Sequence, residues 1–187
     1  MTARPHTLGI DDGPFEKFVS KTVSIVGVMM EGADLVETVA HTEFPVDGDR
    51  ATDFLASWVE SLRCRPALQG VLLGGITIAG LGVVDVPELN RRLQIPIVVV
   101  NRRDPSDHRL GDALGAAGLE ARLSVVERTP EAFPLNDRLW VAAAGIEREA
   151  AAALVRSTQL KSEIPEPLRL AHLIARAIVR GESRGRP

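Results

Sequence analysis

The sequence predicts one α/β domain on a mixed β-sheet, and three observations carry that expectation. Hydrophobic residues fill 45% of the 187 positions and are spread evenly, enough for one good core and too few for two. Three apolar, β-branched stretches come first and read as a strand followed by a hairpin. Helical and strand periodicities then alternate, which implies parallel strands joined by helical crossovers.

The three opening strands are Thr7–Asp11, Val23–Met30 and Leu35–Phe44, the last two separated by the turn signal Glu31-Gly32-Ala33-Asp34. The period then changes. Phe54, Leu55, Trp58, Val59 and Leu62 share one helical face, behind an acidic start, Val46-Asp47-Gly48-Asp49, that offers N-cap residues. Val71–Leu73 is an uninterrupted apolar strand, and a helix opens near Asp85 with Pro87 in its first turn. Ile97–Val100 is a second buried strand, followed by a helix from about Ser106 to Ala117. Strands are assigned near Leu123–Val126 and at Trp140–Ala143. Pro165-Glu166-Pro167 opens a last helix that runs to about Arg180 and stops at Gly181. Three strands, then alternating helices and strands, then a closing helix is the layout of an RNase H-like fold, one of several that the pattern allows. The domain spans residues 7–180, with 1–6 and 181–187 as flexible termini.

Composition narrows the function classes. The lone cysteine, Cys64, has no partner for an internal disulfide, and no secretory leader or membrane-length apolar run is visible, so a cytoplasmic setting is expected. The formal charge of −3 argues against nucleic-acid binding by bulk electrostatics, so any such binding is local. Tyrosine is absent, which counts against an aromatic platform for single strands.

Four constellations can carry chemistry. Gly9-Ile10-Asp11-Asp12-Gly13-Pro14-Phe15 ends the first strand. A carboxylate there suits a metal, because a rigid ladder holds it at the sheet's crevice. Successive strand residues face opposite ways, so Asp11 and Asp12 share a site only if the strand has broken into its turn; a plain Asp-Asp-Gly-Pro turn explains the residues equally well. The loop Gly74–Gly82 follows the Val71–Leu73 strand, and its glycines, Gly75 and Gly80 among them, let backbone N–H groups approach a phosphate or pack closely against other backbone. Asp47 and Asp49 offer either a second metal arm or a helix cap. On the last helix, Arg169, His172, Arg176 and Arg180 share a face whose arginines grip phosphates and whose histidine orders a water or shuttles a proton as a catalytic group, or that is simply solvated. Arg102 and Arg103, just past a strand end, are further phosphate candidates or ordinary exposed residues.

The segments 9–15, 46–52 (Val-Asp-Gly-Asp-Arg-Ala-Thr), 75–80 (Gly-Ile-Thr-Ile-Ala-Gly) with 83–85 (Val-Val-Asp), 96–100 (Pro-Ile-Val-Val-Val) and 164–172 (Ile-Pro-Glu-Pro-Leu-Arg-Leu-Ala-His), in this order, resemble the endonuclease dU family, a relative of endonuclease V. Each is weak alone; five in order are specific. The resemblance implies an endonuclease V-like fold and cleavage of DNA, or RNA, near a deaminated base, uracil or hypoxanthine, with Mg2+ or Mn2+ held by carboxylates. It implies Asp11 as the first-strand metal ligand, Asp47 or Asp49 near a second acidic position, His172 lining the site, and Arg102 near a basic one. Arg169 and Arg176, with the backbone of Gly75 and Gly80, would meet phosphates. The departure is Gly74-Gly75, where endonuclease V carries Asp-Gly, and Gly80-Leu81-Gly82 where relatives carry Gly-Phe-Asn. A glycine has no side chain to ligate a metal. Two other readings therefore stand beside the enzyme: a nucleic-acid-binding module whose metal site is lost at Gly74, and a nucleotide or small-ligand binder built on the Gly74–Gly82 loop.

Overall fold

The computed structural model describes residues 4–105 and 109–183. Its elements in chain order are β1 (His6–Asp12), β2 (Thr22–Glu31), β3 (Leu35–Pro45), α1 (Ala51–Ser61), β4 (Gly70–Leu73), β5 (Thr77–Ile78), β6 (Gly82–Val83), α2 (Val86–Leu93), β7 (Ile97–Asn101), α3 (Arg109–Ala116), α4 (Leu123–Glu127), β8 (Phe133–Asn136), β9 (Leu139–Ala144), α5 (Arg148–Ser157) and α6 (Glu166–Arg180). Seven strands form one sheet in the order β3-β2-β1-β4-β7-β9-β8, and β5 and β6 make a small separate hairpin inside the glycine-rich loop.

The sheet is mixed, as the pattern predicts. β1, β2 and β3 pair antiparallel, β1 with β4 and β4 with β7 pair parallel, and β9 returns antiparallel to β7 with β8 outside it. Side-chain alternation divides the core. Leu8, Ile10, Val71, Leu73, Ile97 and Val99 pack with Leu55, Val59, Leu89 and Leu93 of α1 and α2 on one face. On the other face Leu72, Val98 and Val100 meet Val155 and Leu168, while Val26 and Val28 meet Ala171 and Ala175. Central strands buried on both sides explain the unbroken apolar runs in the sequence.

Gly9 explains how α6 reaches the sheet. A Cβ at Gly9 would overlap the backbone of Pro167 and Leu168, so only glycine lets the first turn of α6 lie directly on β1. That seating carries His172 to the end of β1.

Several expectations change. Leu123–Val126 is helical, the body of α4 after a short 3-10 turn over Glu120–Arg122, because only two β-branched residues sit among Ala121, Arg122 and Glu127. The strand belongs instead at Phe133–Asn136. Pro134 is tolerated there because β8 is an edge strand that pairs only with β9. The alanine-rich α5 had no counterpart in the sequence reading. β1 begins at His6 rather than Thr7, and Arg4 is tied to Glu31 and Asp34, so the ordered chain starts earlier than expected. The start expected for α3, Ser106 to His108, lies outside the described residues, as do 1–3 and 184–187.

Candidate functional site

The chain adds strands on one side of β1 and then crosses to the other, so the carboxyl ends of β1 and β4 border the point where the strand order reverses. Open α/β sheets present ligand crevices there. Asp11 stands at that end of β1 and His172 reaches it from the buried flank of α6, with His172 Nδ1 2.9 Å from Asp11 Oδ2. The other oxygen, Oδ1, accepts the Asp12 backbone N–H at 2.9 Å. Residues 161 positions apart thus meet as a hydrogen-bonded pair, each side chain about one quarter exposed.

Two cavities meet at Asp11. A cleft of about 510 Å³ is bordered by Asp11, Gly74, Asn101, Arg102, Arg103 and His172, with Leu168 among its apolar walls. A smaller cavity of about 310 Å³ is bordered by Asp11, Asp12, Phe15, Gly74, Thr77 and Ile78, and includes Gly75 and Gly80. Asp11 and Gly74 line both. Asp12 turns away from His172 toward the glycine loop, where its Oδ2 accepts the Ala79 N–H at 2.6 Å. Burial, and then the neighbouring Asp11 charge, push the Asp12 carboxyl up to about 6, against the opposing pull of that N–H.

The remaining expected residues divide. Arg102 borders the cleft, and Gly75 and Gly80, both at positive φ (152° and 94°), border the smaller cavity. Arg176 is one turn beyond His172 on α6; its Nε is buried with no hydrogen-bond partner among the described residues. Arg169 goes elsewhere. It grips Glu166 through both carboxylate oxygens, at 2.6–3.0 Å, where the two side chains are only 12% and 4% exposed.

Asp47 and Asp49 are not brought to Asp11. Asp47 Oδ1 accepts the Leu81 N–H at 2.7 Å, Asp49 pairs with Arg122, and neither lines the two cavities at Asp11. Arg122 also donates to Leu81 O at 2.6 Å and Asp47 O at 2.8 Å, so these acids fasten the glycine loop to the α1 approach. Nor does either cap α1, whose N-cap residue is Arg50 with no side-chain cap. Asp12, Phe15 and Asn101 border the site without having been singled out for it. The signal for Asp12 was strand alternation, since β1 still holds it in register with Ile25 and turns it to the face opposite Asp11; Phe15 follows the Gly13-Pro14 break that ends the strand.

The donor set decides how a metal would fit. Among the described residues no group of three or more His, Cys, Asp or Glu side chains is arranged to hold one. Asp11 keeps one spare lone pair on each carboxylate oxygen after its two hydrogen bonds. A Cβ at Gly74 would lie 3.8 Å from Asp11 Oδ1 with no other neighbour within 4 Å, so the flank of Asp11 is open. This set fits Mg2+ or Mn2+ held by one carboxylate together with substrate phosphate and water, and does not fit a ready-made carboxylate cage.

The mixed sheet with this strand order is an RNase H-like α/β fold of the kind endonuclease V has. The fold is similar to the solved structures of human ENDOV (TM-score 0.63, 18% identity, 95% of this chain and 85% of that one) and of Streptomyces avermitilis endonuclease V (TM-score 0.64, 14% identity, 96% and 83%). The chain belongs to the endonuclease dU family, whose sequence profile matches residues 4–179. It is 38% identical over 182 residues to a UPF0215 protein of Methanothermobacter thermautotrophicus, covering 95% of this chain and 89% of that protein. It is also similar to the crystal structure of a protein of unknown function from Archaeoglobus fulgidus, at TM-score 0.86 and 34% identity, covering 95% of this chain and all of that one.

Proposed function

We propose that this protein is a cytoplasmic endonuclease that cleaves a phosphodiester of DNA at a deaminated base, uracil or hypoxanthine, with Mg2+ or Mn2+ that Asp11 would help to hold. The observation that carries the reading is the contact between Asp11 and His172 at the mouth of a cleft bordered by Arg102 and Arg103. When bound, the ion would offset charge on the phosphate and make a coordinated water more acidic. Arg102 and Arg103 draw the backbone into the cleft and share its charge. Asp11 fixes the imidazole through Nδ1, which leaves Nε2 to exchange a proton with a water or the leaving oxygen. Arg176, one turn on, adds a positive charge along the same helix flank.

The test is incubation with Mg2+ or Mn2+ and oligonucleotides carrying uracil or hypoxanthine, with Asp11→Ala as control. Cutting that depends on Asp11 is expected; no cutting of any substrate rejects the reading. Gly74 favours a second one, a nucleic-acid-binding module without cleavage, because the flank where a further carboxylate would stand is bare. It predicts oligonucleotide binding that weakens between two salt concentrations, with the strand left intact.

A further inference from the structure

The cavity beside Asp11 has a chemical character that the cleft lacks. Its walls are Phe15, Thr77, Ile78 and the glycine backbone, its acidic groups are Asp11 and Asp12, and no arginine or lysine among the described residues lines it. Phe15 is placed by the loop it faces, since a Cβ at Gly80 would come within 3.2 Å of its ring. An aromatic ring and an aliphatic side chain beside carboxylate, hydroxyl and open backbone groups suit a flat, polar-edged ring. Asp12 Oδ2 is committed to the Ala79 N–H, and its Oδ1 accepts no hydrogen bond from another residue among the described residues. That bond fixes the carboxylate's orientation. Asp11 and Gly74 line both cavities, so a nucleotide with its phosphate near Asp11 has a second cavity beside it for its base.

We infer that Asp12 is a specificity-determining residue, its carboxylate accepting the ring N–H that deamination creates on a nucleobase seated in this cavity. The inference rests on the cleft holding a nucleic-acid backbone and adds what selects the base. Deamination turns the ring nitrogen of cytosine (N3) or adenine (N1) from an acceptor into an N–H donor in uracil or hypoxanthine. A carboxylate oxygen attracts the donor and repels the acceptor's lone pair, so one residue separates both damaged bases from their parents. Thymine and guanine carry the same N–H, so their exclusion falls to the cavity's size and walls.

Binding tests this without any cleavage. Fluorescence anisotropy at low salt, with Ca2+ replacing Mg2+, compares oligonucleotides that differ only in one cytosine, uracil or N3-methyluracil. The wild type should bind uracil about tenfold tighter than cytosine, and N3-methylation should erase that preference. Asp12→Asn keeps an oxygen for the Ala79 N–H and gains an N–H2 donor, so it should lose the preference or turn it toward cytosine. A uracil preference that survives both N3-methylation and Asp12→Asn overturns the inference while leaving the backbone-binding reading intact. No binding to any oligonucleotide overturns both.

Discussion

Asp12 brings a stability cost that pH exposes. Its folded value of about 6 lies above the ordinary 3.8, so folding favours the protonated acid. That contribution is fully present below about 3.8 and is lost as pH rises through about 6. Asp12→Asn should therefore be more stable than the wild type above pH 7, by roughly 1–2 kcal/mol once partial exposure is discounted, and nearly equal to it at about pH 4. Urea unfolding at several pH values checks this; a gap that does not change with pH contradicts it. Gly74 makes the reverse experiment possible. The backbone there is outside the left-handed region and a Cβ meets only Asp11, so Gly74→Asp adds a carboxylate next to the first. Calorimetry should show at least about a tenfold gain in Mn2+ affinity, and unchanged affinity would mean that this flank does not face the ion.

The start of the last helix is not electrostatic surface. Arg169 shares a helix face with His172 and Arg176, and that spacing makes both arginines phosphate candidates. In the fold, Arg169 and Glu166 pair in a buried setting, and Glu166 also accepts the Lys161 N–H at 3.1 Å, fixing the loop that brings Ile164 to the cleft. Arg169→Ala should cost about 3–5 kcal/mol by stranding a buried carboxylate, read as a large fall in denaturation midpoint. For nucleic-acid binding, Arg102→Ala should lower the slope of log affinity against log salt by about one unit, and Arg169→Lys, which keeps the Glu166 pair, should leave it unchanged. Equal effects of the two would return Arg169 to the interface. The other elements were legible in proportion to the clarity of their period. β4 and β7 read as buried strands because both faces are covered, whereas α4 reads as a strand and β8 gives no signal because short, half-buried segments take their form from neighbours that a local window does not contain.

Across the whole molecule, the legible part of the site lies at strand ends and the illegible part depends on long-range partners. Asp11 stood out because a rigid strand ends there, and His172 because α6 closes a predictable layout. The roles of Asp47 and Asp49 were hidden, since their partners Leu81 and Arg122 lie 34 and 73 residues further on. With those two acids holding the glycine loop, the proposed chemistry falls on Asp11 and His172. The most direct measurement is the rate at which wild type, Asp11→Ala and His172→Ala cut a uracil- or hypoxanthine-containing duplex in Mg2+ or Mn2+. The account predicts cutting by the wild type and a loss of at least about a hundredfold in each variant, with folding intact. Undiminished cutting by Asp11→Ala, or an uncut duplex with the wild type in either metal, would contradict it.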